Sequence, residues 1–193
     1  MAVVTRDRKK YYYANVNKEG RMRLRSRQED GNYVEQLVDG ISGTIVDIKK
    51  TEGDYEGTPI PRLEVTMMDG GEKYILSVSR YSTYGRGLIN KLRNVNMSRF
   101  VEIGAFASQF NGKQYIHPSV QQGGKNVLRS ITNEEMPQVK TVMVGKKEVM
   151  DSSERDDFFD AKLDILIQDL AEKPAPTAMD AVEELEEVCD IPF

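Results

Sequence analysis

Apolar and polar residues alternate along much of the first 120 residues, and glycine turns separate some of the alternating runs. Residues 63–67 alternate up to an Asp-Gly-Gly turn at 69–71, and residues 74–78 alternate beyond it. Asn111-Gly112 is a second turn of this kind. Strict alternation places apolar side chains on one face of a strand, and Asp-Gly and Asn-Gly favour two-residue hairpins. The sequence therefore predicts a mainly β fold built from hairpins.

One segment of this region changes period. In residues 82–95, Ser82 or Thr83 can cap a helix whose apolar residues share a face, although two glycines weaken its first turn. Strands are expected over residues 37–49, 63–80, 99–108 and 113–120, with a polar, Gly-rich loop from Lys49 to Pro59. Three strands, a helix and two strands is the order of the OB-fold, a five-stranded Greek-key barrel. We therefore predict an OB barrel with one helix between strands three and four and an N-terminal strand extension.

Two further segments follow the predicted barrel. Residues 153–171 show helical spacing with Ser153 as a candidate N-cap, and the stripe of Phe159, Leu163, Leu166, Ile167 and Leu170 is expected to pack on the barrel or on another subunit. Residues 173–193 contain prolines and six acids and are predicted to be disordered. The expected organisation is a domain over 1–150, an acidic amphipathic helix over 151–172 and an acidic tail over 173–193.

The net charge of −4 conceals two regions of opposite sign. Residues 1–150 hold 24 Lys and Arg against 17 Asp and Glu, whereas residues 151–193 hold 3 against 14. A basic body with an acidic end can bind a polyanion with one part while the other part competes for the same surface.

The strongest cationic pattern lies in residues 20–27, where Arg21, Arg23, Arg25 and Arg27 alternate with Met22 and Leu24. A strand with this pattern buries its apolar face and presents a ladder of arginines to solvent. Charged residues also protect edge strands from aggregation. With no acid within the ladder, an anionic ligand is the favoured interpretation.

Cations and aromatic residues are interleaved in several other places, as binding of a single strand requires. Tyr11-Tyr12-Tyr13 follows two lysines, and alternation turns Tyr12 away from its neighbours. The candidate contacts to single-stranded DNA are Arg21, Arg23, Arg25, Arg27, Lys49, Lys50, Tyr55, Arg80, Tyr81, Tyr84, Arg86, Phe110, Lys113 and Tyr115. For any single tyrosine, packing in the core is about as probable as stacking on a base.

Catalysis finds little support in the sequence. The glycine-lysine pairs at 124–125 and 145–146 lack the hydroxyl residue and the earlier glycine of a P-loop. With one histidine, His117, and one cysteine, Cys189, no ordinary zinc site is possible. We therefore expect a non-enzyme without metal or cofactor, in which His117 is structural.

The chain closes with Asp190, Ile191, Pro192 and Phe193 after an acidic, proline-containing segment. This ending on a basic, OB-like body resembles that of bacterial single-stranded DNA-binding proteins and their phage-encoded counterparts. The basic N-terminal extension, the added acidic helix and the absence of Trp are more similar to the phage-encoded type. The resemblance implies protection of single-stranded DNA in replication, recombination and repair. It also implies that Asp190, Ile191, Pro192 and Phe193 recruit replication and repair proteins.

Two other functions are compatible with the sequence. The barrel could bind protein, as an adaptor or as an inhibitor that mimics DNA, or it could bind RNA. The N-terminus lacks the apolar segment of a signal peptide, and no apolar run reaches the length of a membrane span. We expect a cytoplasmic protein, with a homo-oligomer if the helix over 153–171 packs between subunits.

Overall fold

The computed structural model describes residues 11–27, 31–145 and 147–172. This part of the chain is mainly β, as the alternation predicts. The strands are β1 (Tyr11–Val16), β2 (Met22–Arg27), β3 (Tyr33–Val38), β4 (Gly40–Tyr55), β5 (Thr58–Asp69), β6 (Glu72–Ser79), β7 (Phe100–Phe110), β8 (Lys113–Gln122), β9 (Lys125–Asn126), β10 (Lys140–Val144) and β11 (Lys147–Asp151). The helices are α1 (Thr83–Leu92) and α2 (Ser153–Ala171). The acidic tail at 173–193, with Asp190, Ile191, Pro192 and Phe193, lies outside the described residues.

Nine strands form one mixed sheet in the order β3-β2-β1-β6-β5-β4-β7-β8-β9. Neighbouring strands are antiparallel except β1 and β6, which run parallel. The first three strands thus form a meander that joins the rest of the sheet through β1. Strands β10 and β11 pair only with each other among the described strands.

Strand β4 is long because it belongs to two parts of the sheet. Its first residues pair with β7, and its pairing with β5 shifts register between Ile45 and Asp47. Gly43 lies two residues before this shift with a φ of 150°, and a Cβ there would come 2.5 Å from the carbonyl oxygen of Met68. Only glycine permits this approach of β4 to β5.

The predicted loop from Lys49 to Pro59 is wrong. Strand β4 continues to Tyr55 and β5 begins at Thr58, so Glu56 and Gly57 alone form the turn, with φ values of 53° and 78°. Two successive residues with positive φ match the twist of a hairpin. Pairing with β5 extends the strand through a segment whose own residues disfavour β structure.

Helix α1 begins where the sequence places a cap. The Ser82 hydroxyl oxygen accepts from the backbone N–H of Gly85 at 3.0 Å, which satisfies one of the free donors of the first turn. A Cβ on Gly85 would lie 2.3 Å from the carbonyl oxygen of Ser79. This glycine therefore lets the helix start against the end of β6. The buried face of α1 carries Leu88, Ile89 and Leu92.

Helix α2 covers the predicted segment, but Ser153 is its first residue and not its cap. The Asp151 carboxylate accepts from the Ser153 backbone N–H at 3.0 Å. Phe159, Leu163 and Leu166 are buried, and α2 contacts β4 and α1. Of the two expected packing partners, the helix therefore uses its own sheet. Neither described helix has the length and apolar character needed to cross a membrane.

Candidate nucleic-acid interface

The arginine ladder of β2 is arranged as the alternation predicts. Arg21, Arg23, Arg25 and Arg27 are exposed, whereas Met22 and Leu24 are buried on the opposite side of the sheet. The apolar side holds the strand in place, and the guanidinium groups are left to solvent. All four predicted residues therefore lie in one row on the surface.

Strand pairing places tyrosines on both sides of this row. On one side, Arg27 is opposite Tyr33 of β3. On the other side, Arg25 is opposite Tyr13 of β1, and Tyr11 is next to Lys73 of β6. Paired residues project to the same side of a sheet. We call this surface the tyrosine–arginine face; it consists of Tyr11, Tyr13, Tyr33, Arg21, Arg23, Arg25, Arg27 and Lys73.

The rings of this face are open to solvent and contact its cations. Tyr11, Tyr13 and Tyr33 are each about half exposed, at 47%, 54% and 51%. The guanidinium carbon of Arg25 lies 3.9 Å from the centre of the Tyr33 ring. Lys73 Nζ lies 5.5 Å from the centre of the Tyr11 ring. Tyr12 points the other way and stacks on Tyr74, with ring centres 5.0 Å apart.

Two acids accompany the row without neutralising it. Arg21 lies 3.2 Å from Asp39, and Glu35 lies 3.9 Å from Arg23 and 3.7 Å from Arg25. These pairs are solvent-exposed, and exposed pairs contribute only about 0–1 kcal/mol. A phosphate can replace such partners at little cost. The face carries five cations against these two acids.

Three other predicted cations lie under helix α2. Lys50 Nζ is 2.6 Å from Asp164, Arg80 Nε is 3.0 Å from Asp160, and Arg86 Nε donates to Asp156 at 2.9 Å. The acids are four residues apart and therefore share one side of the helix. Asp160 borders the buried surface as the partner of Arg80.

The stability of α2 decides whether those cations are available to a ligand. Lifting the helix would expose Phe159, Leu163 and Leu166, at a cost of roughly 5–9 kcal/mol at about 1.5–3 kcal/mol for each side chain. The hydrogen bond from Arg86 to Asp156 adds about 1.5–3 kcal/mol, the contribution typical of a hydrogen bond to a charged group. Lys50, Arg80 and Arg86 are therefore assigned to docking of α2.

The two predicted tyrosines near α1 are also engaged. The Tyr81 hydroxyl donates to Asp160 at 2.9 Å, and burial is the main cause that raises its pKa. Tyr84 is only 4% exposed, and its hydroxyl donates to the carbonyl oxygen of Gly104 at 3.0 Å. A ring in this position cannot stack on a base, so Tyr84 belongs to the core. Its place on the buried side of α1, four residues before Leu88, is the signal that identifies it.

Of the remaining predicted residues, Tyr55, Phe110 and Lys113 lie at two hairpin tips, whereas Lys49 lies in the middle of β4. Tyr55 and Phe110 precede the two turns and are the more exposed aromatic residues, at 63% and 66%. Lys113 follows the β7–β8 turn and is exposed. Lys49 lies 2.7 Å from Asp47, whose hydrogen bond raises the pKa of the lysine. These side chains are accessible but lie apart from the arginine row in the strand order.

Tyr115 connects the tyrosine–arginine face with the β7–β8 hairpin tip. It lines a cleft of about 530 Å³ between β8 and the β1–β6 pair, together with Asn15 and Ser77. Asn15 is opposite Arg23 in the sheet. The cleft therefore continues from the tyrosine–arginine face toward the β7–β8 hairpin.

The sequence did not identify every member of the face. Tyr33 and Lys73 were missed, and Tyr11 and Tyr13 were noted only as part of a run. The β-forming residues Tyr33, Val34, Leu37 and Val38 are a signal for strand β3, but only the register with β2 shows that Tyr33 faces the arginines.

Comparison with known proteins does not identify a family. No protein-family model, curated protein or solved structure matches the chain.

Proposed function

We propose that this protein binds single-stranded DNA without strong sequence preference, through the tyrosine–arginine face. One observation carries the proposal: four arginines form a row that is flanked on both sides by half-exposed tyrosines. Nonspecific binding of a single strand needs cations along the backbone and rings on which bases stack. A duplex keeps its bases stacked on one another, so these rings favour an unpaired strand.

The strand order supports the same function. Strands β6, β5, β4, β7 and β8 are adjacent in that order, and α1 lies between β6 and β7 in the chain. Numbered from β4, this is 3-2-1-4-5 with a helix after the third strand, and from this order we infer an OB-like arrangement of the five strands. OB-folds bind oligonucleotides on the face of strands two and three and with the loops that join strands one to two and four to five. Here β5 and β6 would be those strands, and β1 to β3 would widen their face.

A path for single-stranded DNA follows from this arrangement. The DNA backbone would cross the arginine row, and its bases would stack on Tyr11, Tyr13 and Tyr33. The DNA would then continue through the cleft at Tyr115 toward Phe110 and Lys113 at the β7–β8 tip. Tyr55 at the β4–β5 tip is a further stacking candidate.

The acidic tail would regulate the binding of DNA and recruit partner proteins. Residues 173–193 contain one lysine and six acids, and their covalent attachment to the same chain would keep these carboxylates at high effective concentration near the arginine row. Asp190, Ile191, Pro192 and Phe193 would bind replication and repair proteins through an apolar pocket with a basic rim. This function requires the compartment that holds DNA, which for a bacterial or phage protein is the bacterial cytoplasm.

Fluorescence anisotropy with a labelled oligo(dT), its duplex and the matching RNA tests the proposal. We expect the DNA strand to bind most tightly, with a log–log salt slope of about −0.7 for each phosphate contacted. Arg23→Ala should flatten that slope. Deletion of 180–193 should tighten binding, most visibly at low salt. Binding that does not depend on salt would exclude the proposed function. Tighter binding of RNA than of DNA would show that the protein is an RNA-binding protein instead.

A further inference from the structure

A second cationic site lies away from the tyrosine–arginine face. It is a cleft of about 540 Å³ lined by Lys91 of α1, Phe106 and Ser108 of β7, His117 of β8, and Arg129. Small-molecule sites commonly have volumes of about 300–1,000 Å³. The cleft has no residue in common with the tyrosine–arginine face.

The charges of this cleft are uncompensated. Within the described residues, neither Lys91 nor Arg129 forms an ion pair. Burial and the charge of Arg129 lower the pKa of Lys91. Burial, Arg129 and Lys91 together lower the pKa of His117. Cations that repel one another in a concave site create a position where an anion is stabilised.

The segment that carries Arg129 is fixed to α1. The side chain of Asn90, which is 2% exposed, donates to the carbonyl oxygen of Ile131 at 2.9 Å and accepts from its N–H at 2.7 Å. Asn94 donates to the carbonyl oxygen of Leu128 at 3.1 Å. Arg129 lies between these anchors. A site whose cation is held in place before binding loses less conformational entropy when a ligand arrives.

One wall of the cleft is aromatic. Phe106 is half exposed and lies over the His117 ring, with ring centres 5.4 Å apart and planes inclined by 30°. Ser108 Oγ lies 2.9 Å from His117 Nε2 and orients the imidazole. Phe106 therefore contacts His117 and is still half exposed, so part of its ring can accept a flat aromatic group.

We infer that this cleft binds a nucleotide, with the phosphate at Lys91 and Arg129 and the base stacked on Phe106. Cations alone would suit any phosphate, and the exposed ring alone would suit any apolar group. Their placement in one cleft with a hydroxyl and an imidazole selects a ligand that combines a phosphate with an aromatic base. A free mononucleotide and a nucleotide within a bound strand share this chemistry.

His117 provides a direct probe because it is the only histidine in the chain. Its imidazole NMR resonances can be followed while thymidine 5′-monophosphate, thymidine, inorganic phosphate or oligo(dT) is added to the full-length protein. We expect the monophosphate to shift these resonances at lower concentration than thymidine or phosphate does. A shift with oligo(dT) as well would show that a bound strand enters the cleft, and a shift with the monophosphate alone would identify a free nucleotide.

Three variants sharpen the test. Lys91→Gln combined with Arg129→Gln should weaken monophosphate binding about tenfold or more, because two charge-assisted hydrogen bonds are lost. Phe106→Ala should weaken it by about tenfold through lost stacking. Lys147→Gln removes an exposed charge on β11 and should change nothing. The amide spectrum of each variant reports whether it is folded.

Two results would overturn this inference. One is unchanged His117 resonances with both the monophosphate and oligo(dT). The other is equal binding of inorganic phosphate and monophosphate that Phe106→Ala leaves intact. Neither result affects the proposed function, which depends on the tyrosine–arginine face and is measured by anisotropy.

Discussion

The guanidinium carbon of Arg25 lies 3.9 Å from the centre of the Tyr33 ring on the neighbouring strand. The nearest carboxylate, Glu35, is 3.7 Å away in an exposed pair. Arg25 is therefore oriented by stacking and not by a strong ion pair. A stacked guanidinium keeps its N–H donors available for a phosphate, so ring and cation can act together on one nucleotide.

Arg25→Gln should weaken binding of oligo(dT) and reduce the log–log salt slope by about 0.7, the contribution of one phosphate contact. Lys147→Gln is the matched control, since it removes an exposed cation outside the nine-stranded sheet. Anisotropy titrations at several salt concentrations measure both quantities. Equal salt slopes for the two variants would show that Arg25 does not contact a phosphate.

Variants of Tyr13 and Tyr84 distinguish a ring that stacks on a base from a ring that packs in the core. Tyr13→Ala removes a half-exposed ring, so binding should lose about 1–3 kcal/mol while the free energy of unfolding changes by about 0.5 kcal/mol or less. Tyr84→Phe should do the reverse. It leaves the buried carbonyl of Gly104 without its hydroxyl donor, at about 1–3 kcal/mol of stability, with unchanged DNA affinity.

Urea unfolding and oligo(dT) titration of both variants provide the comparison. If Tyr84→Phe lost more affinity than its smaller folded fraction explains, Tyr84 would be part of the DNA-binding surface.

The strands and turns could be predicted because their signals are local. Alternation in residues 63–67 and 74–78, with glycine at the turn between them, needs no partner elsewhere in the chain. The segment from Lys49 to Tyr55 is different, because its residues favour a loop and only pairing with β5 makes it a strand. Its Glu56-Gly57 turn is also a weaker signal than Asn-Gly.

The candidate site was predictable in part for the same reason. The arginine row depends on the alternation within one strand, and the sequence contains that alternation. Its tyrosines come from two other strands, and their positions depend on register. Arg80 and Asp160 are 80 residues apart, so no local pattern pairs them or shows that α2 covers this arginine.

Removing Asp160 should destabilise the fold far more than removing Asp164. The Arg80–Asp160 pair is largely buried, with side chains 11% and 23% exposed, whereas Asp164 is mostly exposed beside Lys50. Asp160→Asn leaves the Arg80 charge without its partner and should cost about 3 kcal/mol. Asp164→Asn should cost about 0.5 kcal/mol or less.

Urea unfolding of the two variants at neutral pH tests this difference. Neither change should strengthen DNA binding, because α2 stays packed through its apolar side chains. Tighter binding by Asp160→Asn would instead mean that α2 competes with DNA for Arg80.

Tyr12 and Tyr74 should make stability sensitive to alkaline pH. Their hydroxyls donate to Glu72 at 3.2 and 2.7 Å. Burial, and then the Glu72 carboxylate, raises the pKa of both phenols. A folded-state pKa above the unfolded value near 10 means that the neutral phenols are favoured by folding. This contribution to stability is complete below that unfolded value and is lost as the pH rises through the higher, folded-state pKa.

Glu72→Gln removes the carboxylate and leaves the burial, so both pKa values should fall only in part. Absorbance at the phenolate band during an alkaline titration follows all nine tyrosines of the chain, so the contribution of Glu72 is the difference between the curves of Glu72→Gln and the unmodified protein. Urea unfolding at rising pH follows the stability. Glu148→Gln is the control, because it removes an exposed carboxylate on β11. Identical titration curves for Glu72→Gln and the unmodified protein would show that Glu72 does not hold these phenols in their neutral form.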